Sequence, residues 1–194
     1  MIFLITGASH TGKTLLAQRL LEKLKYPYLS VDHLKMGLIR SGCTELTPED
    51  DEALADYLWP IVREIVRTAV ENKQNLIVEG CYIPFDWRAD LGEDYSPSVC
   101  FFCLAMTDAY IERHFDEILA HESEIETRLV ASDCTAAGLK ADNRRCIEGF
   151  RKAGERVVLI DSDYEGTIGK LIDGLRGSEN CEFPKTSSRI VEFD

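Results

Sequence analysis

Short apolar runs alternate along the chain with longer segments in which apolar residues recur at helical spacing. We predict β-strands over residues 2–5, 27–31, 75–79, 99–105 and 156–161. Helical patterns follow these runs, as where Leu16, Leu20 and Leu24 come after the first. Strands that alternate with helices form parallel sheets with right-handed crossovers and helices on both faces. We therefore expect an α/β fold with a five-stranded parallel sheet.

The longest predicted helix starts near residue 47 and runs to about residue 72. Thr47 is a favourable N-cap, Pro48 suits the first helical position, and acidic residues follow. Apolar side chains lie along one predicted face: Leu54, Leu58, Ile61, Ile65 and Ala69. Pro60 should bend or split this helix, because it lacks a backbone N–H and collides with the preceding turn.

Length and charge limit the classes of partner. With 194 residues the chain is of single-domain size, and we assign the domain to residues 1–176 and a polar tail to residues 177–194. The formal net charge of −12 argues against a nucleic-acid partner, which needs clustered Lys and Arg. No apolar run approaches the roughly 20 residues that span a bilayer, so we expect no membrane association.

The cysteine pattern is typical of a reducing compartment. The chain has seven cysteines, an odd number, without the spacing of a disulfide framework. Cys100 and Cys103 are three residues apart on a predicted strand, so their side chains point to opposite faces and cannot share a metal or a disulfide bond. We expect reduced thiols and a cytoplasmic location.

A phosphate-binding motif follows the first predicted strand directly. The sequence Gly7-Ala8-Ser9-His10-Thr11-Gly12-Lys13-Thr14 matches G-x-x-x-x-G-K-[ST] and leads into a helix at Leu15. Its glycines permit a tight turn whose backbone N–H groups point at phosphate oxygens. Lys13 brings a positive charge to the β- and γ-phosphates, and the Thr14 hydroxyl is placed to bind Mg²⁺. Residues 7–15 are therefore predicted to bind a nucleotide, with Lys13 catalytic and no catalytic role for His10.

Carboxylates end the next two strands of the predicted sheet. Asp32 follows the second strand and Glu79 ends the third. Ligands of parallel sheets bind beyond the carboxyl ends of the strands, where such side chains position a metal or an acceptor. The alternatives are helix capping for Asp32, which is compatible with catalysis, and a surface charge for Glu79.

GTPase chemistry lacks its sequence signals. No N-K-x-D stretch follows the fourth strand, and the sequence Asn72-Lys73-Gln74-Asn75 is misplaced and lacks the Asp. No D-x-x-G follows the third strand. The pattern therefore argues against a GTPase.

The chain resembles the adenylate-kinase-like group of small P-loop kinases in the order of three segments. These are the phosphate-binding P-loop of residues 7–14, then Ser30-Val31-Asp32-His33-Leu34, then Ile77-Val78-Glu79-Gly80. That group includes nucleoside monophosphate kinases, shikimate and gluconate kinases, chloramphenicol phosphotransferase, polynucleotide kinase and zeta-toxin kinases. The resemblance implies a three-layer P-loop NTPase fold, ATP and Mg²⁺ as cofactors, and a helical lid inserted at about residues 107–145.

The resemblance also implies roles on the acceptor side. Asp32 corresponds to the aspartate that accepts a proton from the acceptor hydroxyl in metabolite and sugar kinases. Where adenylate kinases hold the AMP phosphate with an arginine, the nearest residues here are Lys35 and, further on, Arg40. The family's D-G-F/Y-P is replaced by Glu79-Gly80-Cys81-Tyr82. Both departures speak against a nucleotide acceptor, and we predict that Lys35, Arg40 and Tyr82 contact the acceptor.

Further acceptor and lid residues are predicted with open alternatives. Trp87 and Arg88 could line an acceptor pocket, although aromatic packing in the core would also explain the tryptophan. The resemblance implies paired lid arginines that clamp the transferred phosphoryl group, and Arg113 and Arg128 are the candidates. Each would alternatively be a solvated helix charge.

Taken together, the sequence predicts an ATP-dependent kinase that phosphorylates a hydroxyl, or a phosphate, of a small-molecule acceptor. A nucleoside or nucleoside monophosphate kinase is the alternative within the group. An ATP-binding regulator without catalysis is the alternative from another class. The pattern does not decide between a monomer and a homodimer.

Overall fold

The computed structural model describes residues 1–120 and 134–175. It divides into two units, Met1–Ser162 and Asp163–Asp194. The described part of the second unit is one helix, which begins after Asp163, whose side chain accepts a hydrogen bond from the Gly166 N–H at 2.9 Å. The first unit contains the sheet and all the predicted site residues that the structure describes.

The five strands are β1 (Ile2–Gly7), β2 (Tyr28–Ser30), β3 (Leu76–Glu79), β4 (Val99–Met106) and β5 (Val157–Ile160). The described α-helices are α1 (Lys13–Leu24), α2 (Val31–Arg40), α3 (Asp51–Glu71), α4 (Trp87–Leu91), α5 (Asp108–Ala120), α6 (Ala136–Lys152) and α7 (Tyr164–Gly174). A short 3-10 turn at Ser96–Ser98 leads into β4.

All strands are parallel, in the order β2-β3-β1-β4-β5. The central strand β1 pairs with β3 on one side and with β4 on the other, so that Ile5 lies between Glu79 and Phe102. Strands that are covered on both faces read as continuous apolar runs, which is why the chain's short apolar segments became strands. The predicted α/β fold with five parallel strands is confirmed.

The two faces of the sheet are covered by different helices. Ile2 and Leu4 of β1 belong to the core cluster that contains the buried side chains of α3 and Phe150 of α6. The alternate residue Phe3 points to the other face, where it stacks on Phe102 at 6.1 Å between ring centroids. Helix α1 packs against β1, β2 and β3 with Leu16 and Leu20 fully buried outside that cluster. Because side chains alternate along β1, one face of the sheet packs against α3 and α6 and the other against α1.

Two helix starts differ from the prediction. Asp32 does not end a strand: β2 stops at Ser30, whose side chain caps α2 by accepting from the His33 N–H at 3.4 Å. The cap role is therefore filled by Ser30 and not by Asp32, which lies in the first helical turn. Similarly, α3 begins at Asp51 and not after Thr47, because Thr47 donates its N–H and hydroxyl to Asp50 in a turn.

Helix α3 also differs in its buried face. It continues through Pro60 without being split. Val62 and Val66 are fully buried where Ile61 and Ile65 were predicted to be, and these two isoleucines are half-buried. Leu54, Leu58 and Ala69 are buried as predicted, so the prediction is wrong by one position only in the middle of the helix.

The cysteines follow the prediction in part. Cys103 is free and lies in the core cluster with Phe101, on the face opposite to Cys100, as predicted. Cys100 is disulfide-bonded, however, so the expectation that every thiol is reduced is wrong at this position. The other described cysteines that form no disulfide bond are Cys43, Cys81, Cys134 and Cys146. Across residues 1–120 and 134–175, no helix has the length and apolar character needed to cross a membrane.

Candidate active site

The P-loop connects β1 to α1 at the carboxyl edge of the sheet. Gly7 ends β1 at φ 142°, and a Cβ placed there would lie 2.0 Å from the carbonyl oxygen of Leu104 on β4, so only glycine fits. Gly12, with φ 76°, precedes the first residue of α1. His10 is left-handed at φ 63°, a conformation that costs energy in a non-glycine residue and is concentrated at functional sites. The loop thus has the strained turn of a phosphate cradle at a helix N-terminus.

Lys13 is the first residue of α1 and is buried beneath the loop. Its Nζ donates to the Ala8 carbonyl oxygen at 2.7 Å, and the Thr11 hydroxyl donates to the same oxygen at 2.8 Å. Burial alone would lower the pKa of Lys13, but the negative charges of Cys81 (when ionised), Glu79 and Asp32 outweigh it and raise this pKa. The lysine is therefore held as a cation at the point where the predicted phosphates would lie.

Thr14 and Glu79 place two side-chain oxygens that could bind a metal ion beside Lys13. The Thr14 hydroxyl donates to Glu79 Oε1 at 3.4 Å, and the Tyr28 hydroxyl donates to Oε2 at 3.0 Å. Glu79 is only 2% exposed, so its alternative as a surface charge is excluded. Mg²⁺ prefers hard oxygen ligands and is commonly bound by one or two protein oxygens together with substrate phosphates. The donor set therefore fits the predicted ion.

A close approach of backbone places Asp32 beside this pair. Gly80 follows Glu79, and a Cβ built on it would lie 2.6 Å from Cβ of Val31, the first residue of α2. Ser30 and Glu79 are partners in the register of β2 and β3. The start of α2 is therefore packed directly against the end of β3, which brings Asp32 near Glu79 and Lys13.

Asp32 belongs to a hydrogen-bonded chain that we call the acceptor-side network, consisting of Asp32, Lys35, Tyr82 and Asp51. Lys35 Nζ lies 2.9 Å from Asp32 Oδ1 and donates to the Tyr82 hydroxyl at 3.0 Å. The Tyr82 hydroxyl in turn donates to Asp51 Oδ1 at 3.0 Å. The network joins α2, the segment after β3 and the first turn of α3.

Burial and charge shift two titrations in this network. Burial alone would lower the pKa of Lys35, but Asp32 and the Tyr82 hydroxyl outweigh it, so that the pKa lies above its usual value. Burial raises the pKa of Tyr82 to about 12, against the opposing effect of Lys35. At neutral pH the network therefore contains an ammonium group and a protonated phenol.

Three predicted acceptor contacts lie away from this site. Arg40 is exposed in the last turn of α2. Trp87 is fully buried in the core, where it stacks on Phe101 at 5.1 Å between centroids. Arg88 lies over Trp87 and forms two hydrogen bonds with Glu155, which precedes β5 and so lies at the opposite edge of the sheet from the P-loop. Core packing, the alternative left open for Trp87, accounts for that residue, and an ion pair accounts for Arg88; a contact of either residue with the acceptor stays a prediction.

Of the two predicted lid arginines, Arg113 lies among the described residues and Arg128 does not. Arg113 on α5 donates to the carbonyl oxygens of Ala109 at 2.9 Å and Asp161 at 2.8 Å, so its guanidinium group joins α5 to the end of β5. Its role as a phosphoryl clamp stays a prediction. Arg128 lies outside the described residues, as do residues 121–133 of the predicted lid.

The structure adds residues that the sequence did not single out. Tyr28 holds Glu79, and Asp51 holds Tyr82. The thiol of Cys81 interacts with Lys13. Alternation along β2 places Tyr28 on the same face as Ser30, a signal that becomes useful only when the register with β3 is known. No local signal marks Asp51, which reads as an ordinary acidic residue in a first helical turn.

Comparison with known proteins identifies the fold. The structure is similar to that of a sugar kinase from Janibacter sp., with a TM-score of 0.54 and 18% identity over 90% of this chain and 93% of that chain. It is also similar to shikimate kinase from Aquifex aeolicus, with a TM-score of 0.51 and 11% identity over 91% of this chain and 97% of that chain. No protein-family model matches the sequence. No curated protein matches it either.

These neighbours are P-loop small-molecule kinases, the group that the sequence resembles. The predicted resemblance is therefore confirmed at the level of the fold. At these identities the neighbours carry no information on the substrate of this chain.

Proposed function

We propose that the protein is an ATP- and Mg²⁺-dependent kinase that phosphorylates a hydroxyl group of a small-molecule acceptor. One observation carries the proposal: Lys13, Thr14 and Glu79 are gathered with Asp32 at the carboxyl edge of the sheet. Phosphoryl transfer requires a cradle for the nucleotide, a metal site and a carboxylate near the acceptor, and these residues supply all three requirements.

Each residue has a distinct task in the proposed reaction. The acceptor hydroxyl oxygen attacks the γ-phosphorus, the bond from that phosphorus to the bridging oxygen of ADP breaks, and the hydroxyl proton passes to Asp32. Lys13 and the backbone N–H groups of residues 7–14 hold the phosphates and neutralise the charge that develops on them.

Thr14 would bind the metal ion directly, and Glu79 would bind the ion or orient its other ligands. Bound Mg²⁺ would supply charge neutralisation on the phosphate oxygens. Glu79 is fixed at both carboxylate oxygens, by Thr14 and Tyr28, and is therefore suited to orient the ion's ligands without reorganisation.

The acidic surroundings favour a hydroxyl over a phosphate as the acceptor group. Asp32, Asp51 and Glu79 face two cations, Lys13 and Lys35, and the first of these is assigned to ATP. A nucleoside monophosphate would bring a further negative charge to this side, where no arginine of the described residues takes part in the network. A cytoplasmic location, expected from the cysteine pattern, stays a prediction.

The test is an ADP-release assay with Mg·ATP across sugars, hydroxy acids, aminoglycosides, nucleosides and nucleoside monophosphates. Wild type is compared with Lys13→Ala and Asp32→Ala, and ATP binding is measured separately with a fluorescent ATP analogue. We expect one hydroxyl compound to stimulate turnover, both substitutions to abolish the stimulation, and only Lys13→Ala to weaken ATP binding. Chelation of Mg²⁺ by EDTA should stop the reaction.

A matched control is Asp94→Ala, which removes an exposed carboxylate before β4, at the sheet edge opposite the P-loop, and should leave turnover unchanged. Stimulation by nucleoside monophosphates alone would replace the proposal with a nucleotide kinase. ATP binding without stimulation by any acceptor would favour a regulator that transfers nothing.

A further inference from the structure

Lys35 is a predicted acceptor contact whose ammonium group is already engaged by other side chains of the candidate site. Its side chain is 14% exposed, and its ammonium group contacts Asp32 Oδ1 and the Tyr82 hydroxyl at 2.9 and 3.0 Å. The same ammonium lies 5.1 Å from the centroid of the Tyr82 ring. A surface ion pair between flexible chains contributes little, whereas here the lysine is held from two directions.

The Tyr82 hydroxyl fixes the direction of these hydrogen bonds. A phenol has one proton to donate, and this proton goes to Asp51 Oδ1. The oxygen's lone pairs are then left to accept from Lys35. Asp51 therefore orients Tyr82, and Tyr82 orients Lys35.

The consequence reaches Asp32. Because Lys35 holds Oδ1, the carboxylate cannot rotate freely, and its other oxygen is left to receive the proton of the acceptor hydroxyl. A group that must accept a proton in the transition state gains from being placed before the reaction.

We propose that Lys35 is a positioning residue for Asp32, held by Tyr82 and Asp51, and is not an anion-binding contact of the acceptor. This inference rests on the proposed function. It also limits the substrate class: with the charge of Lys35 committed to Asp32, the acceptor presents hydroxyl or amino groups at this position and no carboxylate or phosphate.

The test uses Tyr82→Phe, which removes one hydroxyl and keeps the ring. With the best acceptor of the panel, we expect kcat to fall about tenfold, the cost of one hydrogen bond to a charged group, while KM for ATP and for acceptor changes less than about threefold. Lys35→Gln should lower kcat at least as much, and Lys35→Arg should restore part of it. In the double variant Tyr82→Phe/Lys35→Gln the losses should not add, because both act through the same carboxylate.

The matched control is Tyr95→Phe, since Tyr95 also donates its hydroxyl to a carboxylate, that of Glu71 at 2.8 Å, in a part of the molecule without site residues. Its kcat should equal that of wild type.

Two outcomes would overturn the inference. An acceptor KM that rises in Lys35→Gln with kcat intact, together with stimulation by carboxylated or phosphorylated acceptors, would make Lys35 an anion contact. A lowered unfolding midpoint in Tyr82→Phe with unchanged kcat would make the network purely structural. If ATP binds and no acceptor of any charge stimulates turnover, the proposed function fails and the inference with it, a result distinct from the other two.

Discussion

Helix α3 is tied to the segment after β3 by two polar networks, one at its first turn and one along its middle. The first is the acceptor-side network, which enters α3 at Asp51. The second, which we call the helix-middle network, consists of Trp59, Arg63, Arg67 and Asp90. In it Trp59 Nε1 and Arg63 both donate to Asp90, and Arg67 donates to the carbonyl oxygens of Asp90 and Leu91.

The difference lies in where each network ends. The helix-middle network ends on the backbone carbonyl oxygens of Asp90 and Leu91 and on the carboxylate of Asp90, which is 39% exposed, much like Asp32 at 38%. The acceptor-side network ends at Asp32, beside Glu79 and the P-loop. Two networks on one helix can thus serve different purposes, and the end point indicates whether a network stabilises the fold or the site.

The largest expected effect is a loss of turnover on substitution of Asp32, where the acceptor-side network ends, compared with Asp90, where the helix-middle network ends. Asp32→Asn should lower kcat by about 10²- to 10⁴-fold, the usual loss when a general base is removed, with only a small fall of the urea midpoint from the lost ion pair with Lys35. The comparison variant Asp90→Asn should keep kcat within about twofold of wild type. Both are measured by ADP release with the best acceptor, and a similar loss of kcat in the two variants would remove the distinction.

The second prediction concerns stability. Asp90→Ala leaves Trp59 and Arg63 without their shared acceptor, so the free energy of unfolding should fall by about 1–3 kcal/mol, as measured by urea denaturation. Turnover at a temperature well below the unfolding midpoint should stay normal. A normal midpoint would show that water replaces Asp90 at no cost.

At alkaline pH the acceptor-side network should weaken. The pKa of Lys35 is raised, and that of Tyr82 is raised to about 12, so both bind protons more tightly in the folded state. Their contribution is complete below about pH 10 and is lost as pH rises from about 10 towards 12. Urea denaturation across this interval should show a smaller loss for Tyr82→Phe than for wild type. Equal slopes would contradict the shifted titration of Tyr82.

At acid pH the smallest effect is expected, and it has the opposite sign. The hydrogen bond from Trp59, together with Arg63, lowers the pKa of Asp90, so its contribution to stability is present above about pH 4 and is lost as pH falls below that value. In Asp90→Asn, which cannot titrate, the loss of stability between about pH 4 and 2 should be shallower. Asp116→Asn is the control, since it removes an exposed carboxylate elsewhere.

The sequence predicted those parts of the site whose chemistry is local. The P-loop could be read because eight consecutive residues form it, and Glu79 because a carboxylate that ends a continuous apolar strand must lie at the sheet edge. The strands were found because they are short apolar runs, fully buried in β1 and β4 and half-buried for most residues of the outer strands β2 and β5.

What the sequence did not predict depends on contacts between distant segments. Tyr82 meets Lys35 and Asp51 across sequence separations of 47 and 31, and only the folded sheet brings them together. The alternatives for Trp87 stayed open in the sequence because an aromatic–arginine pair in a loop resembles a ligand-binding surface until its burial is known. In the middle of α3 the predicted buried face was one position away because two adjacent pairs, Ile61 with Ile65 and Val62 with Val66, are equally apolar.

The contact between Gly80 and Val31 means that the spacing between the proposed base and the proposed metal site is encoded by a missing side chain. Glu79 adjoins the glycine and Asp32 adjoins the valine, so the gap of 2.6 Å at the virtual Cβ sets how closely the two carboxylates approach. Trimming Val31 or adding a methyl group at residue 80 would therefore change the distance between Asp32 and Glu79, and with it the size of acceptor that the proposed site accommodates, without altering either carboxylate. Residues 31 and 80 take no part in the proposed reaction, yet substitutions at these two positions would adjust the width of the site.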